Sequence, residues 1–315
     1  MKIALISDVH GNDPALDAVL RDAAARGVDS HVFVGDYIFD NPFPNQVTER
    51  LRSLSDAVII SGNKENYLHG MEKEDPSAWR FDQLAAMYWT YRELTEENSR
   101  WLMELPHEAR LSLGNGKELY TVHFIEQMEG RMIKTDCRSS RYADKMRRSP
   151  FTHEDFLREM EQEVRQRQDL QWMQDLDVSV IVTGHTHLQW YFRCGDILWI
   201  NPGSCGQPLD FDTKAPYSIL HVNGGVVSVE ERRVPYDLEL LVDSHHKSGI
   251  LEAAPLFIVL FLNAPYTSDD LFSSLFSPAR VIPAPYGVTR SPFSISTLPD
   301  SSHTTVFLLL FSACS

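Results

Sequence analysis

The apolar positions of the first sixty residues come in short unbroken blocks, and each block ends in a small polar cluster. Residues 2–7 read as a strand whose apolar run is continuous rather than alternating, the pattern of a strand covered on both faces. Asp8-Val9-His10-Gly11-Asn12 makes the turn after it. Pro14 then opens a helix with Ala15, Leu16, Val19, Leu20 and Ala23 at helical spacing, and Gly27 closes it. The cycle repeats with a strand at 31–34 stopped by Gly35-Asp36, a helix at about 45–54, and a strand at 57–60 stopped by Ser61-Gly62-Asn63. Strand, polar turn, helix, strand in this order predicts an α/β unit.

From 64 to 115 the pattern turns helical. Trp79, Phe81, Leu84, Met87, Tyr88 and Tyr91 form an aromatic stripe, with Trp101 and Leu102 after it. Such a stripe is far more often a packing face than a cofactor box. A strand at 118–122 delivers His123, and residues 124–177 are polar and mostly helical. Their cationic stretch at 131–148 reads either as a solvated face or as a lid lending positive charge to an anion site. A β-branched run at 178–182 then stops at Gly184 and is followed by His185-Thr186-His187. In extended backbone that spacing points both imidazoles to one side, which makes half a metal site.

Short strands at 190–193, 197–200, 217–222 and 226–234 follow, turned by Asn201-Pro202-Gly203-Ser204 and Asn223-Gly224-Gly225. This closing run of strands predicts a second sheet packed on the first. From about Ala254 the chain has no Lys and no Glu and is rich in Ser, Pro and Phe with little periodicity. The expected organisation is one domain at 1–250, with helical, cap-like segments at about 64–115 and 124–177. The atypical tail at 251–315 is expected outside the fold, as a disordered appendage or the product of a shifted reading frame.

Composition narrows the function. A net charge of −15 is that of no general nucleic-acid binder, which needs a basic stripe to displace counterions. An anionic substrate would have to be drawn in by local positive charge such as bound metal. Cys137, Cys194, Cys205 and Cys314 form no Cys-x-x-Cys pair, so they read as thiols of a reducing compartment. With no signal-peptide pattern and no apolar run near the roughly 20 residues of a membrane span, a cytoplasmic protein is expected.

Five strand ends carry potential ligands: Asp8 with His10, Asp36, Asn63, His123, and His185 with His187. Beyond the carboxyl ends of parallel strands such side chains converge on one crevice. Singly, each is commonplace. Together, in this order and each after a strand, they suit two divalent cations such as Mn²⁺, Fe²⁺, Co²⁺ or Zn²⁺.

The ordered set Asp8-x-His10, Gly35-Asp36, Gly62-Asn63, His123 and Gly184-His185-x-His187 resembles the calcineurin-like metallophosphoesterase superfamily, in particular its small bacterial phosphoesterases. The stretches Ile200-Asn201-Pro202-Gly203-Ser204 and Arg232-Arg233-Val234-Pro235-Tyr236 are similar to that subgroup too, so the resemblance covers roughly residues 1–250. It implies a four-layer α-β-β-α sandwich of two mixed sheets. It also implies that Asp8, His10, Asp36 and His187 hold one metal and Asp36, Asn63, His123 and His185 the other, with Asp36 bridging. Asn63, His123 and Lys64 become the candidate catalytic residues, Asn63 both ligating and orienting the phosphate.

The chain departs from the pattern after Gly62-Asn63, where many members carry a His that protonates the leaving group. Here Lys64 and Glu65 stand instead, with His69 nearby. A lysine titrates too high for efficient proton donation at neutral pH, and two adjacent dications are expected to lower it. The expected activity is hydrolysis of small phosphomonoesters or phosphodiesters by a two-metal site. The rival from another class is a non-catalytic metal-binding scaffold or interaction module on the same fold, which degenerate ligands would favour.

Overall fold

In the computed structural model, strand β1 (Lys2–Ile6) is the middle of a five-stranded sheet. Helix α1 (Asp13–Ala25) carries the chain back to β2 (Ser30–Phe33), which pairs parallel with β1. Helix α2 (Pro44–Arg52) and strand β3 (Ala57–Ile59), parallel to β2, repeat the unit. The structure describes residues 1–73, 75, 82–114, 116–124, 151–166, 176–210 and 212–254, all belonging to one compact unit.

The second sheet runs β4 (Glu108–Gly114), β5 (Lys117–Val122), β6 (Val180–Val182), β8 (Ile197–Pro202), β7 (Gln189–Cys194), with β5, β6 and β8 parallel. The last two strands do not join it. β9 (Ala215–Asn223) pairs antiparallel with β1, Leu5 opposite Ser218, and β10 (Val226–Val234) pairs antiparallel with β9. The closing strands are thus divided between the sheets, correcting the expectation that they form the second sheet together. Residues 215–220 are buried without a break, so β9 needs cover on both faces, and the slot beside β1 supplies it. Residues 108–114 also differ from the helical reading: Glu108-Ala109-Arg110-Leu111 alternates exposed and half-buried, the period of a half-wet edge strand.

Alternation along the strands sorts side chains into three apolar layers. Ile3 and Leu5 meet Val180, Val182, Leu198 and Ile200 between the sheets. Ala4 and Ile6 face the other way, into a core with Leu16 and Val19 of α1 and Val47 and Leu51 of α2. On the far side Ile181 and Trp199 pack with Phe156 of helix α6 (His153–Gln166). The result is the four-layer sandwich, helices outside and two mixed sheets within.

Helices α3 (Asn63–Met71), α4 (Asp82–Glu93) and α5 (Glu96–Met103) extend the first helical layer, with Leu68, Met87 and Leu102 in the same core as α1. Leu84, Tyr88, Tyr91 and Trp101 pack against it, so the described part of the aromatic stripe is a packing face. Trp79 and Phe81, the cationic stretch at 131–148, and residues 255–315 lie outside the described residues. Helices α7 (Leu238–Ser248) and α8 (Ile250–Ala253) close the described chain, with Ile250 and Ala254 buried, so the fold runs past residue 250. No helix among the described residues is long and apolar enough to cross a membrane, and Cys194 and Cys205 are free thiols.

Candidate metal centre

The turns after β1, β2, β3, β5 and β6 bring the expected side chains to one place, in two groups. Asp8, His10 and His187 form one group and Asp36, His123 and His185 the other, with donor atoms in each within 4.8 Å of one another. The local geometry differs from the extended backbone expected. Asp8, His10, Asp36, His185 and His187 have φ of +53°, +50°, +57°, +68° and +57°. Left-handed turns, not strand alternation, aim these side chains, and they send His185 and His187 to different groups. Non-glycine residues held this way cost on the order of 1–3 kcal/mol each, and such strain gathers at functional sites. Backbone hydrogen bonds hold the turns: Asp8 N donates to Gly35 O at 3.0 Å, His10 N to Asp36 O at 3.0 Å and Gly184 N to His123 O at 2.8 Å. Gly184 allows a close approach to the turn after β1, since a Cβ there would run into Ser7 Oγ and stand 2.7 Å from Asp8 Oδ2.

Three imidazoles have an oxygen behind them. Nδ1 lies 2.9 Å from Asp40 Oδ2 in His10, 2.5 Å from Val34 O in His123 and 2.8 Å from Gln207 O in His187. In His123 and His187 the carbonyl oxygen requires Nδ1 to carry a proton, so in each neutral ring Nε2 is left as the lone-pair donor. His10 Nδ1 stands at ion-pair distance from Asp40 without a hydrogen bond. His10 Nε2 and His187 Nε2 face each other at 3.1 Å, a separation that calls for a proton or a cation between them.

The two carboxylates are divided in the same way. Asp8 Oδ2 accepts from Ser7 Oγ at 2.5 Å and His185 N at 3.1 Å, and Asp36 Oδ1 accepts from Lys64 N at 2.8 Å. Their other oxygens point between the groups. Asp8 Oδ1 is 3.3 Å from His187 Nε2 and 3.9 Å from His123 Nε2, while Asp36 Oδ2 is 3.3 Å from His123 Nε2 and 3.9 Å from His10 Nε2. Asp8 Oδ1 and His123 Nε2 are buried without a hydrogen-bond partner, a costly arrangement unless something else binds them. Asn63 Oδ1, at the start of α3, is 2.9 Å from His185 Nδ1. Carboxylate, imidazole and amide donors together fit divalent ions of intermediate hardness.

The electrostatics ask for positive charge. Burial would lower His10 and His123, but Asp40 and Asp8 lift His10 to about 9, and Asp36 lifts His123 to about 10. Burial would raise Asp8 and Asp36, yet His187 and His10 hold Asp8, and His123 holds Asp36, well below the usual carboxylate range. His185, desolvated and beside His123, is pushed down to about 4. In the polypeptide alone the carboxylates draw protons onto their neighbours, and bound cations would take the place of those protons.

Residues 1–225 match the family model of the calcineurin-like phosphoesterase superfamily domain. The chain belongs to that superfamily. It is 26% identical over 267 residues to an uncharacterized protein of Methanocaldococcus jannaschii, covering 79% of this chain and 94% of that one. A metallophosphoesterase from Sphaerobacter thermophilus, 25% identical, matches 84% of this chain and all of its own with a TM-score of 0.59. A hypothetical protein of Pyrococcus horikoshii, 17% identical, shares the fold over 85% of this chain and 99% of its own, also with a TM-score of 0.59. Membership makes this a phosphoesterase-superfamily protein, with hydrolysis of phosphate esters as the family chemistry and with residue groups suited to metal.

Around the site of this phosphoesterase stand Asp40, which the sequence reading did not single out, and residues it named without these contacts. Asp40, buried at 2% exposure, faces both His10 and Lys64. Glu65 Oε2 accepts from Gly62 N at 2.8 Å and Asp36 N at 2.9 Å, and Oε1 from Tyr37 N at 2.8 Å, tying the turn after β2 to the start of α3. Its place three residues after Gly62 is capping-box spacing, a signal open to reading. Asn201 Nδ2 donates to Gly184 O at 2.7 Å and Ser204 Oγ to Asp8 O at 2.7 Å, so the Asn201-Pro202-Gly203-Ser204 turn braces both metal-facing loops. Lys64 Nζ is 3.4 Å from Asp40 Oδ2. Burial would lower its ammonium, but Asp40 and Asp36 outweigh burial and hold it above the ordinary lysine value. The expected downward pull of two dications therefore meets an opposing carboxylate. His69 is exposed on α3, five residues and about 7 Å along the axis from Lys64.

Proposed function

We propose that this phosphoesterase hydrolyses small phosphomonoesters or phosphodiesters at a centre of two divalent ions. The observation that carries the reading is the pair of donor groups with one free oxygen each of Asp8 and Asp36 directed between them. Asp8, His10, Asp36 and His187 would hold one ion, and Asp36, Asn63, His123 and His185 the other, with Asp36 bridging. Two such ions, when bound, acidify a water and offset the charge of the phosphoryl oxygens during in-line attack. The polypeptide's own part is to hold that arrangement before substrate arrives. Val34 O and Gln207 O would hold His123 and His187 in the ligating tautomer, Asp40 stands beside His10 Nδ1, and Ser7 and the Lys64 N–H each occupy one carboxylate oxygen. Asn63, ligating through Oδ1, keeps its amide N–H₂ to donate to a phosphoryl oxygen. No covalent intermediate on the protein is required.

The test combines metal analysis with a substrate panel. The purified protein should carry two equivalents of Mn²⁺, Fe²⁺, Co²⁺ or Zn²⁺ after loading, and hydrolyse p-nitrophenyl phosphate or its bis ester in a metal-dependent way. Hydrolysis that survives complete chelation, or full activity at one equivalent, would overturn the two-metal reading.

A further inference from the structure

We infer that Asp40 is a positioning residue acting on two members of the site at once, fixing the His10 imidazole and tethering the Lys64 ammonium as a standing cation for a phosphoryl oxygen. The inference rests on the two-metal reading for what the cation is for, but not for the tether itself. Asp40 is buried and left-handed at φ +72°, directly after Phe39 at φ +72°. Two consecutive non-glycine residues in that region need external support. They have it: Asn41 N donates to His10 O at 3.1 Å and Asn41 Nδ2 to the same oxygen at 2.8 Å, stitching this loop to the His10 turn.

So held, Asp40 Oδ2 lies 2.9 Å from His10 Nδ1 and 3.4 Å from Lys64 Nζ. A buried carboxylate needs a counter-charge, and here it has two neighbours able to supply one. Its carboxylate charge beside His10 Nδ1 favours a proton there, which leaves Nε2 as the donor. Its contact to Lys64 uses one of the three ammonium protons and leaves the others for an anionic oxygen. A lysine gripped by a carboxylate is a fixed positive contact rather than a ready acid. Asp40 should therefore affect metal affinity through His10 and substrate binding through Lys64, two effects separable by experiment.

The experiment uses the full chain with Asp40→Asn, Lys64→Met, Lys64→Arg and the double variant Asp40→Asn/Lys64→Met. In metal-free protein, ¹⁵N spectra of the lysine ammonium groups should show a slowly exchanging Lys64 signal, assigned by its absence in Lys64→Met and lost in Asp40→Asn. In calorimetric titration, Asp40→Asn should bind Mn²⁺ roughly 10–100-fold more weakly, whereas Lys64→Met should bind it at least as tightly as wild type. With p-nitrophenyl phosphate at saturating Mn²⁺, Lys64→Met should raise KM about tenfold, more than it lowers kcat, and Lys64→Arg should recover most of that. Adding Asp40→Asn to Lys64→Met should weaken Mn²⁺ binding without raising KM further. An unchanged Lys64 signal in Asp40→Asn overturns the tether. Wild-type KM in Lys64→Met overturns the role of the cation even if Asp40→Asn does not fold. A wild type that binds no Mn²⁺ but whose Lys64 signal vanishes in Asp40→Asn supports the tether and sinks the two-metal reading alone.

Discussion

Asp36 uses its two oxygens differently, one on the Lys64 N–H and one toward His10 and His123. An amide would keep the first contact and lose the charge of the second. Asp36→Asn should therefore fold, retain less than one equivalent of metal after dialysis, and lose turnover by several orders of magnitude. Metal content and kcat/KM measured together check this, and near-normal values of both would exclude a bridging role. Lys64 carries a second residue-scale prediction. Tethered to Asp40, it gives a leaving group little proton help, and His69 stands a turn and a half away. Turnover should fall steeply as leaving-group pKa rises, with aryl esters fast and alkyl monoesters slow. Lys64→His, placing a group that titrates near neutrality, should accelerate the alkyl esters selectively. A series of esters of graded leaving-group pKa reads both, and a flat wild-type slope would point to another donor. At this scale the convergence of the candidate donors was legible, because each follows an apolar block. The left-handed turns were not, since Asp and His carry no mark of φ sign as glycine does. Asp40 was hidden because its partners lie 30 residues before it and 24 after.

Among the elements, α1 is bound to the late strands by one carboxylate. Asp22 Oδ2 accepts from Tyr217 Oη of β9 at 2.6 Å, from Arg26 Nε at 2.9 Å and from Arg232 Nε of β10 at 3.4 Å. Burial would raise Asp22, but Tyr217, Arg26 and Arg232 prevail and lower it. A carboxyl whose folded pKa lies below its unfolded value, about 3.9, stabilises the fold above that pH and loses the contribution as pH falls through the folded value. Asp22→Asn should thus be less stable than wild type at pH 7, and the gap should close from about pH 4 downward. Urea midpoints of both proteins from pH 3 to 8 test the sign, and a gap constant with pH would refute it. The strands themselves were legible in the sequence, most to within a residue or two. Their division between two sheets was not, because partner choice depends on which slots the rest of the fold leaves covered.

For the whole molecule, the donor set matters because it comes from both sheets. Asp8, His10, Asp36 and Asn63 follow strands of the first, and His123, His185 and His187 follow strands of the second. Metal bound there joins the sheets, so loading should add roughly 3 kcal/mol per ion at a hundredfold excess over Kd. In a domain of this size that is on the order of 5–10 °C per ion. A chelator titration followed by thermal unfolding measures it, and an unmoved Tm would separate the groups from metal. The composition break near Ala254 gives a further expectation. Truncation after that residue should leave Tm and turnover nearly unchanged, and improve solubility by removing the apolar runs at 256–262 and 306–311. A truncated chain that fails to fold would show that residues beyond 254 belong to the domain.

The first sheet also has a history in time. Its strands β1, β2 and β3 are complete by Ile59, but β9, which covers the other edge of β1, ends only at Asn223. At roughly 5–20 residues per second a ribosome needs about 10–30 s to cover that interval. For all of it the central strand of the domain has one edge open, an invitation to pair with another chain. Chaperone demand and loss to aggregation should therefore peak while the second sheet is being made, and stalled or truncated chains ending between the two sheets should be the ones that stick.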